Sequence, residues 1–253
     1  MRGASRSPRI ERWHASLSCC DPAWEAAYRR FESPEEETEK FRRRLIAVGA
    51  QRWPRDAEIA ELFCGRGSGL KALASLGFES LRGVDLSEDL LASYEGPARL
   101  YLGDCRDIRF PDRSLDVVVV QGGLHHLADP LEDLERTLRG VRRVLRPTGR
   151  IVVVEPWLTP FLALVHRFCT AGVARRLWGK LDALAAMIEY ERETYFHWLS
   201  QPEAILARLR AQFAPEREHV AWGKLTFVGT PRPEEPPSTE TAPARVSRSR
   251  QAS

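Results

Sequence analysis

The 253-residue chain contains no uninterrupted run of about 18 apolar residues, the least that a membrane-spanning helix requires. Met1 to Arg12 is basic but lacks the apolar core of an export signal. A soluble, cytoplasmic protein with no membrane partner is therefore expected. Phe161 to Val165 is the most apolar helical stretch, and His166 and Arg167 cut it short, so it reads as protein-facing. Cysteine is scarce. Cys19, Cys20, Cys64, Cys105 and Cys169 form no CxxC pair and leave one over, which argues against a disulfide framework and a zinc site. An excess of either charge is missing too: 38 basic and 35 acidic residues give a net +3, so no large basic field demands a nucleic-acid partner, and none is excluded. No internal repeat is visible.

With 43% apolar and 29% charged residues, the chain can fill one core of catalytic size. The expected division is an N-terminal helical cap over 1–54, a catalytic domain over 55–230 with a helical insert at about 157–200, and a disordered tail over 231–253. The tail expectation rests on composition, since Pro231 to Ser253 is rich in Pro, Ser, Thr and Ala and offers hardly an apolar side chain to bury. In the cap, Trp24, Tyr28 and Phe31 fall on one helical face. Ser33-Pro34-Glu35-Glu36 then has the form of a capping box, opening a second helix whose apolar stripe of Phe41, Leu45 and Val48 runs until Trp53-Pro54. Both helices cover the sheet, or also close over a substrate.

From residue 57 the hydrophobic period switches repeatedly. Ile59–Phe63, Ser80–Asp85, Arg99–Leu102, Leu115–Val120 and Ile151–Val154 read as strands, with helices at Gly69–Leu76 and Glu88–Ser93. Such alternation predicts a parallel sheet. A further helix opens on Asp129 and Pro130, buries Leu131, Leu134, Leu138, Val141 and Leu145, and ends before a turn at Pro147-Thr148-Gly149. After Pro156, helices are expected at Pro160–Leu177, Lys180–Leu199 and Pro202–Phe213, then a hairpin of Arg217–Ala221 and Lys224–Gly229, which brings the strands to seven.

Chemistry concentrates at the first strand-to-helix turn, Glu61-Leu62-Phe63-Cys64-Gly65-Arg66-Gly67-Ser68-Gly69. Three alternating glycines let the backbone turn sharply and approach a ligand, with the following helix presenting its N-terminal N–H groups. A dinucleotide fingerprint would need glycine where Leu70 stands, and no Gly-Lys-Ser/Thr follows for a phosphate loop. The segment resembles motif I of the class I S-adenosylmethionine-dependent methyltransferases. Glu61 matches the acid and Gly65 and Gly67 the later glycines, Gly69 extends the series, and Phe63 replaces the usual first glycine. The Leu-Phe-Cys-Gly variant is similar to one found in some nucleic-acid methyltransferases. Asp85 ends the second strand, followed by Leu86, and Asp104-Cys105 ends the third. The resemblance implies that Asp85 accepts from the ribose hydroxyls and that Asp104 and the Cys105 N–H meet the adenine. The segment from Gln121 through His125-His126, with Leu145-Arg146-Pro147-Thr148-Gly149, resembles small-molecule methyltransferases of the type 11-like group.

The resemblance implies an α/β, Rossmann-like, seven-stranded fold and S-adenosyl-L-methionine as cofactor. It is held by Glu61, Phe63, Cys64, Gly65, Gly67, Gly69, Asp85, Leu86, Asp104, Cys105 and Gln121. A small-molecule acceptor methylated at oxygen or nitrogen is expected; the alternatives are an RNA or DNA methyltransferase and a catalytically inactive cofactor-binding regulator. His125 is the candidate base, although adjacent histidines also serve packing. No carboxylate or cysteine lies near them at ligand spacing, so no metal is expected. Tyr190, Tyr195, Phe196, His197 and Trp198 crowd the second inserted helix, as core or as walls of an acceptor pocket.

Overall fold

The structure is a computed structural model that describes residues 9–14 and 22–233. Its strands are β1 (Ile10–Arg12), β2 (Ile59–Leu62), β3 (Leu81–Asp85), β4 (Arg99–Leu102), β5 (Leu115–Gln121), β6 (Leu145–Pro156), β7 (Phe213–Ala221) and β8 (Lys224–Pro231). They form one sheet in the order β1-β4-β3-β2-β5-β6-β8-β7. Pairing is parallel from β1 through β6 and antiparallel for β6–β8 and β8–β7. Val117 to Val120 is buried on both faces of the sheet, as a parallel strand flanked by helices on each side requires.

The sequence reading gives seven strands where the described residues form eight. β1 was missed because Ile10-Glu11-Arg12 is a three-residue, charged edge strand with no alternating pattern to detect. It joins the region read as a helical cap to the sheet itself. The Pro147-Thr148-Gly149 turn is absorbed within β6 as an irregularity, because Leu115 pairs with Leu145 while Val117 pairs with Arg150.

Helices cover both faces. On one, α2 (Pro34–Ala47) and α3 (Ser68–Ser75) bury Phe41, Leu45, Leu70 and Leu73 against Ile59, Val117, Val119 and Val228. Ser33 opens α2 as a true capping box: its Oγ accepts from the Glu36 N–H, and Glu36 accepts in return from the Ser33 N–H. The helix ends at Ala47, earlier than expected, because Gly49 turns left-handed and a short 3-10 turn carries the chain to Trp53. On the other face, α5 (Glu132–Val144) buries Leu134, Leu138, Val141 and Val144. Each fully buried aliphatic side chain of this kind stabilises by about 1.5–3 kcal/mol. Asp129 does accept from the Leu131 and Glu132 N–H groups, though the regular helix starts after it.

The expected inserted pair is four helices, α6 (Pro160–Cys169), α7 (Gly172–Leu177), α8 (Gly179–Tyr190) and α9 (Arg192–Leu199), followed by α10 (Pro202–Gln212). Breaks fall at Gly172 and Gly179 and around Glu191, where helical spacing continues but the chain changes direction. Against them packs α1 (Pro22–Phe31), so the N-terminal region and the insert meet above the strand ends. Leu162 and Val165 of α6 pack on the core as the protein-facing reading expects, while Phe161 and Leu164 on its other side are about half exposed. No helix among the described residues is long and apolar enough to cross a membrane. Pro231, read as the start of the tail, belongs to β8, and the Arg232 N–H donates to the Gln212 carbonyl. The rest of the expected tail, 234–253, lies outside the described residues, as do Cys19 and Cys20.

Candidate active site

A cavity of about 370 Å³ opens at the C-terminal ends of β2 through β5. Its floor is the glycine turn after β2. Phe63 has φ +55° there, a left-handed conformation that normally selects glycine, and its ring fills the space a side chain on Gly123 would need. Gly67, also left-handed, lies so close to the Tyr94 ring that a Cβ would come within 2.2 Å of it. Gly65, by contrast, faces open space, with Tyr28 Oη the nearest atom to a built Cβ at 3.6 Å.

Asp85, at the end of β3, ties this turn to the next strand. Its Oδ2 accepts from the Gly65 N–H at 2.7 Å and its Oδ1 from the Ser87 N–H at 2.8 Å. Burial raises its pKa, and those two N–H groups work against the rise. It is not the cap of α4 (Glu88–Ala92): Ser87 is, accepting from the Leu90 N–H. Asp104 also reaches the cavity, but Arg106 grips both its oxygens. Burial opposes the Asp104 anion, yet the hydrogen bonds and charge of Arg106 outweigh it and hold the pKa below the usual value.

Of the residues expected to bind the cofactor, Phe63, Cys64, Gly65, Asp85 and Leu86 line the cavity, and so do Asp104, Cys105 and Gln121. Glu61, Gly67 and Gly69 do not. Glu61 is buried beneath the turn, and a Cβ on Gly69 would lie 1.8 Å from its Oε1. Burial pushes its pKa to about 8, with the Glu37 charge adding to the rise and Gln121 and the Leu70 N–H countering it. Even so, Glu61 Oε2 and both amide atoms of Gln121 lack a hydrogen bond of good geometry. Burial also drives the Cys64 and Cys105 thiols well up, so neither is a thiolate nucleophile at neutral pH.

His125 lines the cavity from the 3-10 turn after β5. Glu155, buried at the end of β6, accepts from the Gly123 and Leu124 N–H groups through Oε1 and lies 2.7 Å from His125 Nδ1 through Oε2. A carboxylate there selects the Nδ1–H tautomer, leaving His125 Nε2 as the acceptor, 3.9 Å from Glu191 Oε1. His126 Nδ1 lies 2.9 Å from Glu191 Oε2, which also accepts from Trp24 Nε1–H at 3.0 Å. Burial alone would lower the His126 pKa; the charge and hydrogen bond of Glu191 prevail and raise it. The reading that no carboxylate accompanies these histidines is thus corrected, since His125, His126 and Glu191 place ligand-type atoms within 4.8 Å of one another. Sequence spacing could not find Glu155 or Glu191, which arrive from β6 and the α8–α9 junction.

The walls are aromatic. Trp24, Tyr28 and Phe31 of α1 and Phe41 of α2 line the cavity, as does Met187 of α8. Trp24 and Tyr28 stack at 5.4 Å, and Arg66 lies over the Tyr28 ring. The crowded aromatics of the insert do not line it: Tyr195 and Trp198 are core, with Tyr195 Oη 3.0 Å from His166 Nε2, while Tyr190 and Phe196 are exposed.

The polar groups fit S-adenosylmethionine. A cationic, zwitterionic ligand suits the unsatisfied Gln121 amide, the Gly65 backbone and a carboxylate at the end of β3, all on the cavity wall. Residues 60–153 match the family described as Methyltransferase domain. The chain is 33% identical over 173 residues to a demethylmenaquinone methyltransferase of Clavibacter sepedonicus, covering 64% of this chain and 66% of that protein. It is 30% identical to the ubiquinone/menaquinone biosynthesis C-methyltransferase UbiE of Geobacter sulfurreducens, covering 63% and 66%. The matches thus span just under two thirds of these relatives' own length. Among solved structures, PH0226 protein from Pyrococcus horikoshii superposes with a TM-score of 0.60 at 20% identity, over 84% of this chain and all of that one. A SAM-dependent methyltransferase from Methanosarcina mazei gives 0.52 at 16%, over 74% and 98%; at these identities the likeness is one of fold. Residues 60–153 thus carry a methyltransferase domain, in a fold shared with S-adenosylmethionine-dependent methyltransferases of known structure.

Proposed function

We propose that this protein transfers a methyl group from S-adenosylmethionine to a small aromatic acceptor that carries an acidic hydroxyl. One observation carries the reading: His125, backed through Nδ1 by buried Glu155, lines a cavity walled by Trp24, Tyr28, Phe31 and Phe41. When bound, the cofactor supplies an electrophilic methyl group on a sulfonium with a good leaving group.

The chain's own residues then have three tasks. Asp85, the Gly65 backbone, Asp104 and the Cys105 N–H would hold the cofactor over β2, β3 and β4. The α1 aromatics and Met187 exclude water and sandwich a flat acceptor, which fixes the reacting atoms and desolvates them. His125 Nε2 takes the hydroxyl proton while Glu155 stabilises the imidazolium that results, as a carboxylate does behind any general-base histidine. A deprotonated phenol is nucleophilic at oxygen and at the ring carbons beside it. The same machinery therefore suits oxygen, one of the two acceptor atoms, oxygen or nitrogen, expected from sequence, and also the C-methylation in the name of the Geobacter relative.

The test is transfer of labelled methyl from S-adenosylmethionine to a panel of phenols, naphthols and quinols. His125→Gln should lower kcat by about a hundredfold, the usual scale of a lost general base, while S-adenosylhomocysteine affinity stays within a few-fold. If the variant turns over at the parental rate across the pH range, His125 is not the base.

A further inference from the structure

The helical insert carries an apolar face that no other described residue covers. On α6, Phe161, Leu164 and Phe168 fall at i, i+3 and i+7, on the side away from Leu162 and Val165, and each is about half exposed. Leu177 of α7 and the adjoining Trp178 are more exposed still. At the β7–β8 turn, Trp222 meets the Phe161 ring edge-on, with centroids 5.5 Å apart, and is itself 75% exposed. Its φ of +50°, followed by Gly223 at +76°, belongs to a two-residue hairpin turn, where Asn, Asp or Gly is the usual first residue. A tryptophan held left-handed and still out in water serves something other than the local fold. Single exposed apolar residues are ordinary, whereas a helical stripe continued by an aromatic turn marks a contact surface.

Charge decides what the contact is with. From Pro156 to Leu181 the chain has no Asp or Glu, but it has Arg167, Arg175, Arg176 and Lys180. Arg175 pairs with Asp182 and Lys180 with Glu36. The exposed Arg167 and Arg176 side chains make no ion pair or hydrogen bond among the described residues. Arg167 stands three residues after Leu164 and beside Phe168, so it flanks the stripe, and Arg176 adjoins Leu177. The chain has little of its own to lay on such a face: residues 1–8, 15–21 and 234–253 hold Met1, Leu17 and Val246 as their only large apolar side chains. A second copy would set like charges against one another. We propose that the outer face of α6 and α7, with Trp222, docks on an anionic lipid bilayer, its rings and aliphatic side chains entering the interface while Arg167 and Arg176 reach the headgroup phosphates. Surface helices with an apolar stripe, tryptophan and unpaired cations bind in this way, and they need no spanning length. The same helix touches the catalytic cavity from within, since His166 Nε2 lies 3.0 Å from Tyr195 Oη and the Tyr195 ring meets His125 edge-on at 5.8 Å. Docking therefore brings the bilayer to the far side of the helix that backs His125 through Tyr195, whatever the acceptor.

The test is sedimentation of the full chain with vesicles of phosphatidylcholine alone and of phosphatidylcholine with phosphatidylglycerol at about one lipid in three. The anionic vesicles should bind at least about tenfold more tightly than the neutral ones, since each arginine near such a surface is worth roughly fivefold, and high salt should narrow the difference. Arg167→Glu combined with Arg176→Glu should remove the preference for anionic lipid. Leu164→Ser combined with Phe168→Ser should lower binding to the anionic vesicles by about tenfold or more, and Trp222→Ser should weaken it by itself. Melting temperature should hardly change in these variants, and affinity for S-adenosylhomocysteine should stay within about twofold, because exposed side chains carry little of the fold. Parent protein that ignores both kinds of vesicle would overturn the proposal. So would binding that all three variants retain, which would place the contact elsewhere. A dimer in sedimentation equilibrium that the Leu164→Ser, Phe168→Ser variant dissociates would overturn it too, since the stripe would then face a second copy.

Discussion

Glu61 is the residue whose environment departs furthest from its surroundings in the sequence. A glutamate at the end of a strand reads as a ligand contact, yet it sits beneath the turn with its pKa raised to about 8, chiefly by burial. The folded protein keeps a proton that the unfolded chain releases above 4.5, so the folded state binds more protons between those two values. Stability therefore falls as pH rises from about 4.5 to about 8, and is flat beyond. Glu61→Gln has no such dependence. In unliganded protein its melting temperature should gain on the parent between pH 5 and pH 8, by several degrees for a shift of this size; a difference independent of pH would place the Glu61 carboxyl in a solvated setting. Phe63 makes a similar point. Its identity breaks the glycine pattern, and only the backbone tells that it adopts the glycine conformation regardless, at φ +55°, with Gly123 making room for the ring.

At the scale of elements, what the sequence made legible was whatever repeats with a local period. Arg99–Leu102 has its observed bounds in the sequence reading, and β2, β3 and β5 agree within a residue, because buried runs bounded by turns leave little choice, whereas β6 starts six residues before the Ile151–Val154 read for it. Direction changes inside the insert left no such trace, since Gly179 and Glu191 interrupt helices without interrupting the apolar spacing. The site was legible where one strand end carries one acid, as at Asp85 and Asp104. Where residues meet only through tertiary packing, as Glu155 and Glu191 meet the histidine pair, spacing along the chain carries no information. The best-read helix, α5, supplies a test of the core assignment. Leu138 is fully buried on it among Leu134, Val141 and the strands, so Leu138→Ala should cost about 2–5 kcal/mol in denaturant unfolding. A loss under about 0.5 kcal/mol would mean that this face of α5 is not packed on the sheet.

For the molecule as a whole, the sheet order places successive functional groups in a line across its upper edge: Asp104 after β4, Asp85 on β3, the glycine turn on β2, Gln121 on β5 and Glu155 on β6. On the proposed reading the cofactor lies toward β4, with His125 on the cavity wall beside Trp24, Tyr28 and Phe31 of α1. This layout depends throughout on the ligand at the glycine turn being S-adenosylmethionine, because Leu70 breaks the dinucleotide pattern and no phosphate-binding lysine follows. Calorimetric titration of the purified protein with S-adenosylhomocysteine, alongside NAD, tests that directly. The account predicts saturable one-to-one binding of S-adenosylhomocysteine, with a matching rise in melting temperature, and no response to NAD. Saturable NAD binding with no heat from S-adenosylhomocysteine would contradict it.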